Sequence, residues 1–236
     1  MLIPLALALA LQVRAAAPPA MPQRDVPDPG VIATDQRVTP AGVQSVFRGR
    51  VSGVRFGVSA AELWVAAPGG AYRMNWRDNR VIAHGAYDGR PGVQGITFDA
   101  VTSRAYVSSV GRLPATIAYN RLPGEKEKPG ARVIAQVRAF GRDTTRSDSA
   151  NAPPTAGLVF NSDSIGDYLA GAPSVARQKN ASGHRPLTIP MPANDQLVIV
   201  DADDGSPLGT VALGVLPVAS VVSDDGATAW VSVFGG

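Results

Sequence analysis

Apolar residues recur along this chain in a short pattern that occurs four times. Each copy has a run of alternating apolar residues, a polar turn, and a second run built on an aromatic residue, which lies eight positions after the last apolar residue of the first run. The copies are residues 53–56 with Trp64, 95–98 with Tyr106, 157–160 with Tyr168, and 219–222 with Trp230. Alternation with a period of two predicts β-strands, and short polar turns between such runs predict antiparallel hairpins.

Further strands are predicted after two of these hairpins. In the first copy they span residues 71–76 and 80–84, and in the third copy they span 196–201 and 207–213. Four antiparallel strands repeated at a period of about 40 residues are typical of the blades of a β-propeller. The predicted fold class is therefore all-β, a propeller of four-stranded antiparallel blades that forms an incomplete ring of about three and a half blades.

The spacing of the aromatic residues predicts where the blades carry insertions. The first two aromatics are 42 residues apart, and the next two intervals are 62 residues each. The extra length is assigned to surface loops at residues 122–128, 143–155 and 172–194, which are rich in Gly, Pro, Ser and charged residues.

An incomplete ring needs further sheets, because propellers close with roughly four to eight blades. An open stack leaves an apolar sheet face uncovered and strand edges unpaired. We therefore expect the chain to be the N-terminal part of a larger protein, covalently followed by further blades. Residues 38–47 would then supply an outer strand that pairs with the missing final blade. The alternative is that a second copy of the chain completes the ring.

The repeats, over about residues 38–236, resemble the YVTN family of β-propellers, and the resemblance is strongest for the last repeat. Three stretches carry the resemblance: residues 221–226 (Val-Val-Ser-Asp-Asp-Gly), 230–233 (Trp-Val-Ser-Val) and 197–201 (Leu-Val-Ile-Val-Asp). The first three repeats match more loosely, since they lack the Asp-Gly turn. Exported bacterial proteins of this kind sometimes carry a phosphoesterase domain after the propeller, and residues 37–42 resemble the start of such proteins.

The amino-acid composition of the chain excludes or disfavours several classes of function. Hydrophobic residues make up 45% and charged residues 17% of the 236 positions, so the chain can bury a substantial core. The net charge is only +3, and the basic residues are scattered rather than clustered, which argues against a nucleic-acid partner. The absence of cysteine excludes disulfides, thiolate metal sites, cysteine nucleophiles and covalent c-type haem.

The N-terminus predicts export. Residues 2–13 form an apolar run that is too short to span a bilayer and is followed by small residues, as in a secretory signal peptide, although no basic residue precedes the run. We assign residues 1–17 to the signal peptide, 18–37 to a flexible Pro-rich leader, and 38–236 to the partial propeller. The expected location is periplasmic or extracellular, with no membrane span.

No pattern in the chain indicates catalysis, a metal site or a cofactor. The four repeat aromatics are expected to fill the gaps between sheets. His84 and His184 have no metal-binding spacing, and no Gly-x-Ser-x-Gly motif exists for a serine nucleophile. The carboxylates of residues 201–206 have the composition of a hairpin turn and lack the spacing and the distal Glu of a calcium loop.

The remaining candidate site lies where the loops lead into the innermost strands, at one end of the central channel. Arg50, Arg90 and Gln94 fall there, and the two guanidinium groups could converge on a small anionic ligand. We therefore predict a binding or scaffolding segment, with an unidentified protein or a small anion as its partner. The alternative is a hydrolase: either the propeller is an accessory to a downstream phosphoesterase, or the completed ring is itself a lactonase-like or quinoprotein-like enzyme.

Overall fold

The computed structural model describes residues 45–47, 49–87, 89–112, 133–141, 157–161 and 170–235. Every helix or strand assigned within these residues is a β-strand. The first sheet contains β1 (Gly53–Phe56), β2 (Glu62–Ala67), β3 (Gly70–Asn75) and β4 (Arg80–Gly85); the second contains β5 (Pro91–Asp99), β6 (Arg104–Arg112), β7 (Val133–Phe140) and β8 (Gly157–Asn161). The third contains β9 (Ser174–Val175), β10 (Pro186–Met191), β11 (Gln196–Asp201) and β12 (Pro207–Ala212), and β13 (Val215–Val222) pairs with β14 (Ala229–Gly235) in a hairpin.

The strands of each sheet are antiparallel and follow one another in chain order. The first strands of successive sheets lie side by side, since β5 packs against β1 and β9, and β13 packs against β9. Three four-stranded sheets and one hairpin are therefore arranged around a common axis with β1, β5, β9 and β13 innermost. This confirms the predicted fold class, an all-β propeller with an open ring.

The core lies between the sheets. Between the first and second sheets, Trp64 packs in a cluster with Ile96, Val107 and Phe140, all of them fully buried. Between the second and third sheets, Tyr106 and Val137 pack with apolar residues of β10 and β11. Each sheet is thus stabilised by the sheets beside it, as expected for this architecture.

Two predictions about the third repeat are wrong. Residues 157–160, predicted to open the third blade, belong to β8, which is the outermost strand of the second sheet and pairs Phe160 with Val137. The eight-residue spacing from Phe160 to Tyr168 is therefore not a repeat of the first two copies. An alternating apolar run fits an inner or an outer strand equally well, so the pattern alone could not place it.

The supposed surface loop at 172–194 in fact holds β9 and β10, and all six residues of β10 are buried. Its prolines hid this strand from the sequence pattern. The carbonyl of Pro190 accepts a hydrogen bond from the Gly171 amide (2.8 Å) on the side away from β11, so the missing proline N–H costs no bond to β11. The carbonyl of Pro186 likewise faces the β9 side, where it accepts from Ala176 (2.9 Å).

Several predictions fall outside the described residues: the signal peptide at 1–17, the leader at 18–37, and the loops at 122–128 and 143–155. In the part of the chain that the structure describes, no helix is long and apolar enough to cross a membrane.

Candidate functional site

The inner strands define two ends of the ring. The segment that leads into β9 runs parallel to β13 through a bridge between Ala172 and Ala219, so the inner strands begin at one end and finish at the other. We call these the strand-start end and the strand-finish end. Arg50 lies three residues before β1, and Arg90 immediately precedes β5. The structure therefore places both arginines at the strand-start end, on adjacent sheets.

The candidate side chains at the strand-start end are exposed. Arg50, Arg90 and Gln94 are all solvent-accessible, and among the described residues no carboxylate pairs with either guanidinium group. The Arg90 carbonyl accepts from the Val110 amide (2.8 Å), which fixes the backbone at the start of β5. An exposed guanidinium without a carboxylate partner can offer its donors to an anionic ligand.

Gln94 lies in an irregular part of β5. The register between β5 and β6 shifts between Pro91 and Ile96, and Gln94 has a positive φ of 50°. Gly53 of β1 lies directly against the Gln94 backbone, since a Cβ at Gly53 would come within 3.4 Å of the Gln94 Cα. The bulge thus holds Gln94 at the junction of β1 and β5. Gln94 thus lies inside β5, beside Gly53 at the start of β1, rather than in a loop that leads into the inner strand.

Small residues close the interior of the ring beside this end. A side chain at Gly92 would collide with the Ala170 carbonyl and the Ser108 hydroxyl, and one at Gly171 would collide with the Val218 carbonyl. The buried Ser108 hydroxyl donates to the Gly171 carbonyl at 3.0 Å. The inner strands are therefore in direct contact here, and a ligand at the strand-start end would rest on the surface.

The strand-finish end holds a buried ionic cluster that the sequence did not reveal. Arg185, at the start of β10, donates from Nη1 to Asp99 Oδ2 at 2.6 Å and from Nη2 to Asp203 Oδ1 at 2.7 Å. The Arg185 and Asp99 side chains are 3% and 1% exposed. Burial alone would lower the pKa of Arg185, but the hydrogen bonds with Asp99 and Asp203 outweigh it and raise that pKa above its ordinary value.

The cluster continues into the turn between β11 and β12. His184 Nδ1 lies 2.8 Å from Asp201 Oδ2, and the other oxygen of Asp201 accepts from the Asp203 amide at 2.9 Å. Asp204 accepts from the Ser206 amide at 2.8 Å, and this hydrogen bond lowers the pKa of Asp204. The carboxylates of residues 201–206 therefore stabilise a hairpin turn, as predicted. Within the described residues no three His, Cys, Asp or Glu side chains come together as a metal site.

The repeat aromatics behave as predicted in two of the four copies. Trp64 is fully buried and its Nε1 donates to Glu62 at 3.1 Å, while Tyr106 is fully buried and its hydroxyl donates to the Ala202 carbonyl at 2.9 Å. Burial raises the pKa of Tyr106, so the phenol stays protonated as a donor. The prediction is wrong for Trp230, which is 61% exposed because no described sheet covers its side of the hairpin. Tyr168 lies outside the described residues.

An apolar groove separates the third sheet from the hairpin. It has a volume of about 430 Å³ and is lined by Leu197 and Ile199 of β11, Val211 of β12, and Val222 and Val231 of the hairpin. It exists because β13 packs on the inner half of the third sheet, whereas no third and fourth strands extend the hairpin over β11 and β12 in the part of the chain that the structure describes.

Comparisons with known proteins support the architecture and go no further. No protein family matches the chain, and no curated protein matches it. Among solved structures it is similar to hydrazine synthase of Kuenenia stuttgartiensis (13% identity, TM-score 0.50, 77% of this chain and 55% of that one). It is also similar to the Cps50 (Swd1) β-propeller domain of Myceliophteria thermophila, with 12% identity and a TM-score of 0.46 over 74% of this chain and 45% of that one. A third similar structure is a calcium-binding protein, regucalcin, of Agrobacterium tumefaciens, with 12% identity and a TM-score of 0.46 over 84% of this chain and 57% of that one. The chain thus spans about half the length of these structures, and at such identities the likeness concerns the fold alone.

Proposed function

We propose that this chain is a binding or scaffolding module of an exported protein, without a catalytic centre of its own, and that it takes a small anionic ligand at the strand-start end. The observation that supports the proposal is the placement of Arg50 and Arg90. They precede the inner strands of adjacent sheets, both are exposed, and neither pairs with a carboxylate among the described residues. Two exposed guanidinium groups at the same end of neighbouring blades suit one carboxylate- or phosphate-bearing ligand.

Gln94 adds neutral donors and an acceptor to this surface. Its amide can donate to an anion or accept from a ligand hydroxyl, and the bulge in β5 restricts its backbone. Because these groups are open to water, each charge contact contributes modestly and is screened by salt. The proposal therefore implies weak binding that depends on ionic strength.

The experiment compares two double variants. Arg50→Ala/Arg90→Ala removes both cations of the proposed site, and Arg80→Ala/Arg177→Ala removes two exposed arginines elsewhere at the same cost in net charge. Binding of citrate and of inorganic pyrophosphate is measured by isothermal titration calorimetry at low and moderate salt. The proposal expects binding by the parent and by the second variant, and at least tenfold weaker binding by the first. Equal losses in both variants, or no binding by the parent, would reject the site.

We further propose that the blades are of the YVTN type and that residues 1–17 direct export. The Asp-Gly turn of the last hairpin supports the first proposal: Ser223 and Asp225 hydrogen-bond within the turn, and Gly226 has a φ of 71°. Export is tested by fusing residues 1–37 to a reporter enzyme that is active only outside the cytoplasm. Activity that disappears when residues 2–13 are deleted supports it, and an inactive fusion contradicts it.

A further inference from the structure

Two apolar surfaces of the open ring are exposed, one at each end of the series of sheets. The hairpin face is the outward side of β13 and β14, where Val221, Trp230 and Phe234 are 62%, 61% and 81% exposed. The first-sheet face is formed by Val54 and Phe56 of β1, which are 46% and 62% exposed. Exposed apolar side chains grouped in this way mark an interaction surface.

The contact between the first two sheets shows what each surface fits. There the buried Trp64 of β2 packs against Ile96 and Phe98 of the next inner strand, and the ring centroids of Trp64 and Phe98 are 6.3 Å apart. Trp230 occupies in β14 the place that Trp64 occupies in β2, since both follow the end of the first apolar run by eight residues. The hairpin face therefore presents the tryptophan half of this contact.

The first-sheet face presents the other half. Residues 53–56 align with 95–98 in the repeat, so Val54 corresponds to Ile96 and Phe56 to Phe98. The strand pairing agrees, because Val54 lies opposite Val65 of β2 just as Ile96 lies opposite Val107 of β6. In the second sheet this aliphatic-x-Phe pair contacts the tryptophan of the preceding sheet. In the first sheet the same pair is exposed.

The hairpin face and the first-sheet face also agree in extent, since both are confined to the inner part of a blade. The outer half of the first sheet is already covered on this side: Phe47 packs on Tyr72 of β3, with ring centroids 5.2 Å apart, and Ser45 donates to Asn79 at 2.6 Å. Tyr72 and Met74 are accordingly buried. Within the described first sheet, the strand that remains exposed on this side is β1, the inner strand. Among the described residues the hairpin consists of the two inner strands of a blade, and these can dock on β1 without displacing residues 45–47.

We propose that the occupant is a second copy of this chain, bound head to tail, with Trp230 of one copy packed on Val54 and Phe56 of the other. The contact is heterologous, and two such contacts would close a pair of chains into one ring. The described residues of each copy form three complete sheets and a hairpin, so those of two copies occupy eight sheet positions, within the range of roughly four to eight for closed propellers. This chain also spans about half of the solved propeller that it covers at a TM-score of 0.50.

The test is the mass of the full chain in solution, measured by sedimentation velocity over a hundredfold range of concentration. The proposal expects a species of twice the 24.4 kDa chain mass. Trp230→Ser and Phe56→Ser each remove one half of the contact and are expected to weaken association at least tenfold. Both side chains are exposed in the single chain, so neither substitution removes buried packing, and circular dichroism checks that each variant folds.

Mixing the two variants separates this geometry from nonspecific association. Trp230→Ser retains the first-sheet face and Phe56→Ser retains the hairpin face, so the mixture is expected to form a 1:1 pair through one intact contact. Val101→Ser serves as the control, since Val101 is 59% exposed in the turn between β5 and β6, away from both faces. A monomer at every concentration, or a dimer that neither variant weakens, would overturn the proposal and leave the two faces to other sheets.

Discussion

Arg185 of the third sheet and Asp99 of the second are 86 positions apart in the chain, and the Arg185 Nη1 donates to the Asp99 Oδ2 at 2.6 Å in a nearly water-free environment. Asp99 also accepts from the Val101 amide and the Thr102 hydroxyl. The carboxylate therefore closes the turn after β5 and joins two sheets at once.

Replacing Asp99 by Asn removes one of the two carboxylates that pair with the buried Arg185, and leaves Asp203 as its charged partner. Breaking a buried pair on one side costs about 3–5 kcal/mol, so we expect Asp99→Asn to lower the free energy of unfolding by about this amount in urea titrations. The control is Asp78→Asn, because Asp78 pairs with Arg80 at 3.7 Å on the exposed surface. Such a pair contributes less than about 1 kcal/mol. Equal effects of the two substitutions would show that the buried cluster is not stabilising.

Close packing of the inner strands gives a second prediction. Gly92→Ala would push a methyl group into the Ala170 carbonyl and the Ser108 hydroxyl, and we expect it to destabilise the fold by about 1–3 kcal/mol through overpacking. Gly214→Ala is the matched control, since the nearest atom to a Cβ there is 3.6 Å away. Thermal unfolding of both variants checks this. A Gly92→Ala variant as stable as Gly214→Ala would mean that the second and third sheets do not meet at these atoms.

His84 gives a prediction of pH dependence. Burial lowers the pKa of His84, and the hydrogen bond to the Gly69 carbonyl offsets this only in part. The folded state therefore favours the neutral ring, and the unfolded chain binds the proton more tightly. Stability is expected to be full above the ordinary histidine pKa of about 6.5 and to fall as the pH drops through that value toward the lowered folded-state pKa.

The measurement is the unfolding midpoint between pH 8 and pH 5 for the parent, for His84→Gln and for His184→Gln. We expect His84→Gln to flatten this part of the profile, whereas His184→Gln retains the contribution of His84. If the unfolding midpoint of His84→Gln depends on pH as strongly as that of the parent, groups other than His84 cause the dependence.

The sequence predicted the parts of the fold that rest on local alternation. The first hairpin, the strands at 71–76 and 80–84, and the buried positions of Trp64 and Tyr106 follow from short apolar runs at a fixed spacing. The position of a strand within its sheet is decided by pairing over long distances. For this reason residues 157–160 match the repeat pattern but lie at an outer edge, and β10 is a buried strand despite Pro186 and Pro190.

The site residues likewise divide into those that local sequence predicts and those that depend on contacts between sheets. The sequence placed Arg50 and Arg90 at the loops that lead into inner strands, because loop positions follow directly from strand positions. It could not find the pairing of Arg185 with Asp99, since neither belongs to a motif and their contact exists only after two sheets have packed. The exposure of Trp230 was missed for a related reason: burial of a repeat position depends on a neighbouring sheet as well as on the residue itself.

The arrangement of successive inner strands around one axis is tested most directly by an engineered disulfide between Ala172 and Ala219. The two residues face each other in the bridge between adjacent strands, which lie about 4.8 Å apart, within the range that a disulfide spans. The chain has no cysteine, so any disulfide within one chain of Ala172→Cys/Ala219→Cys comes from this pair. Peptide mass spectrometry after mild oxidation is expected to show that bond in most of the folded protein, and not in the control Val101→Cys/Ala219→Cys. Two free thiols in the folded Ala172→Cys/Ala219→Cys variant would contradict the arrangement.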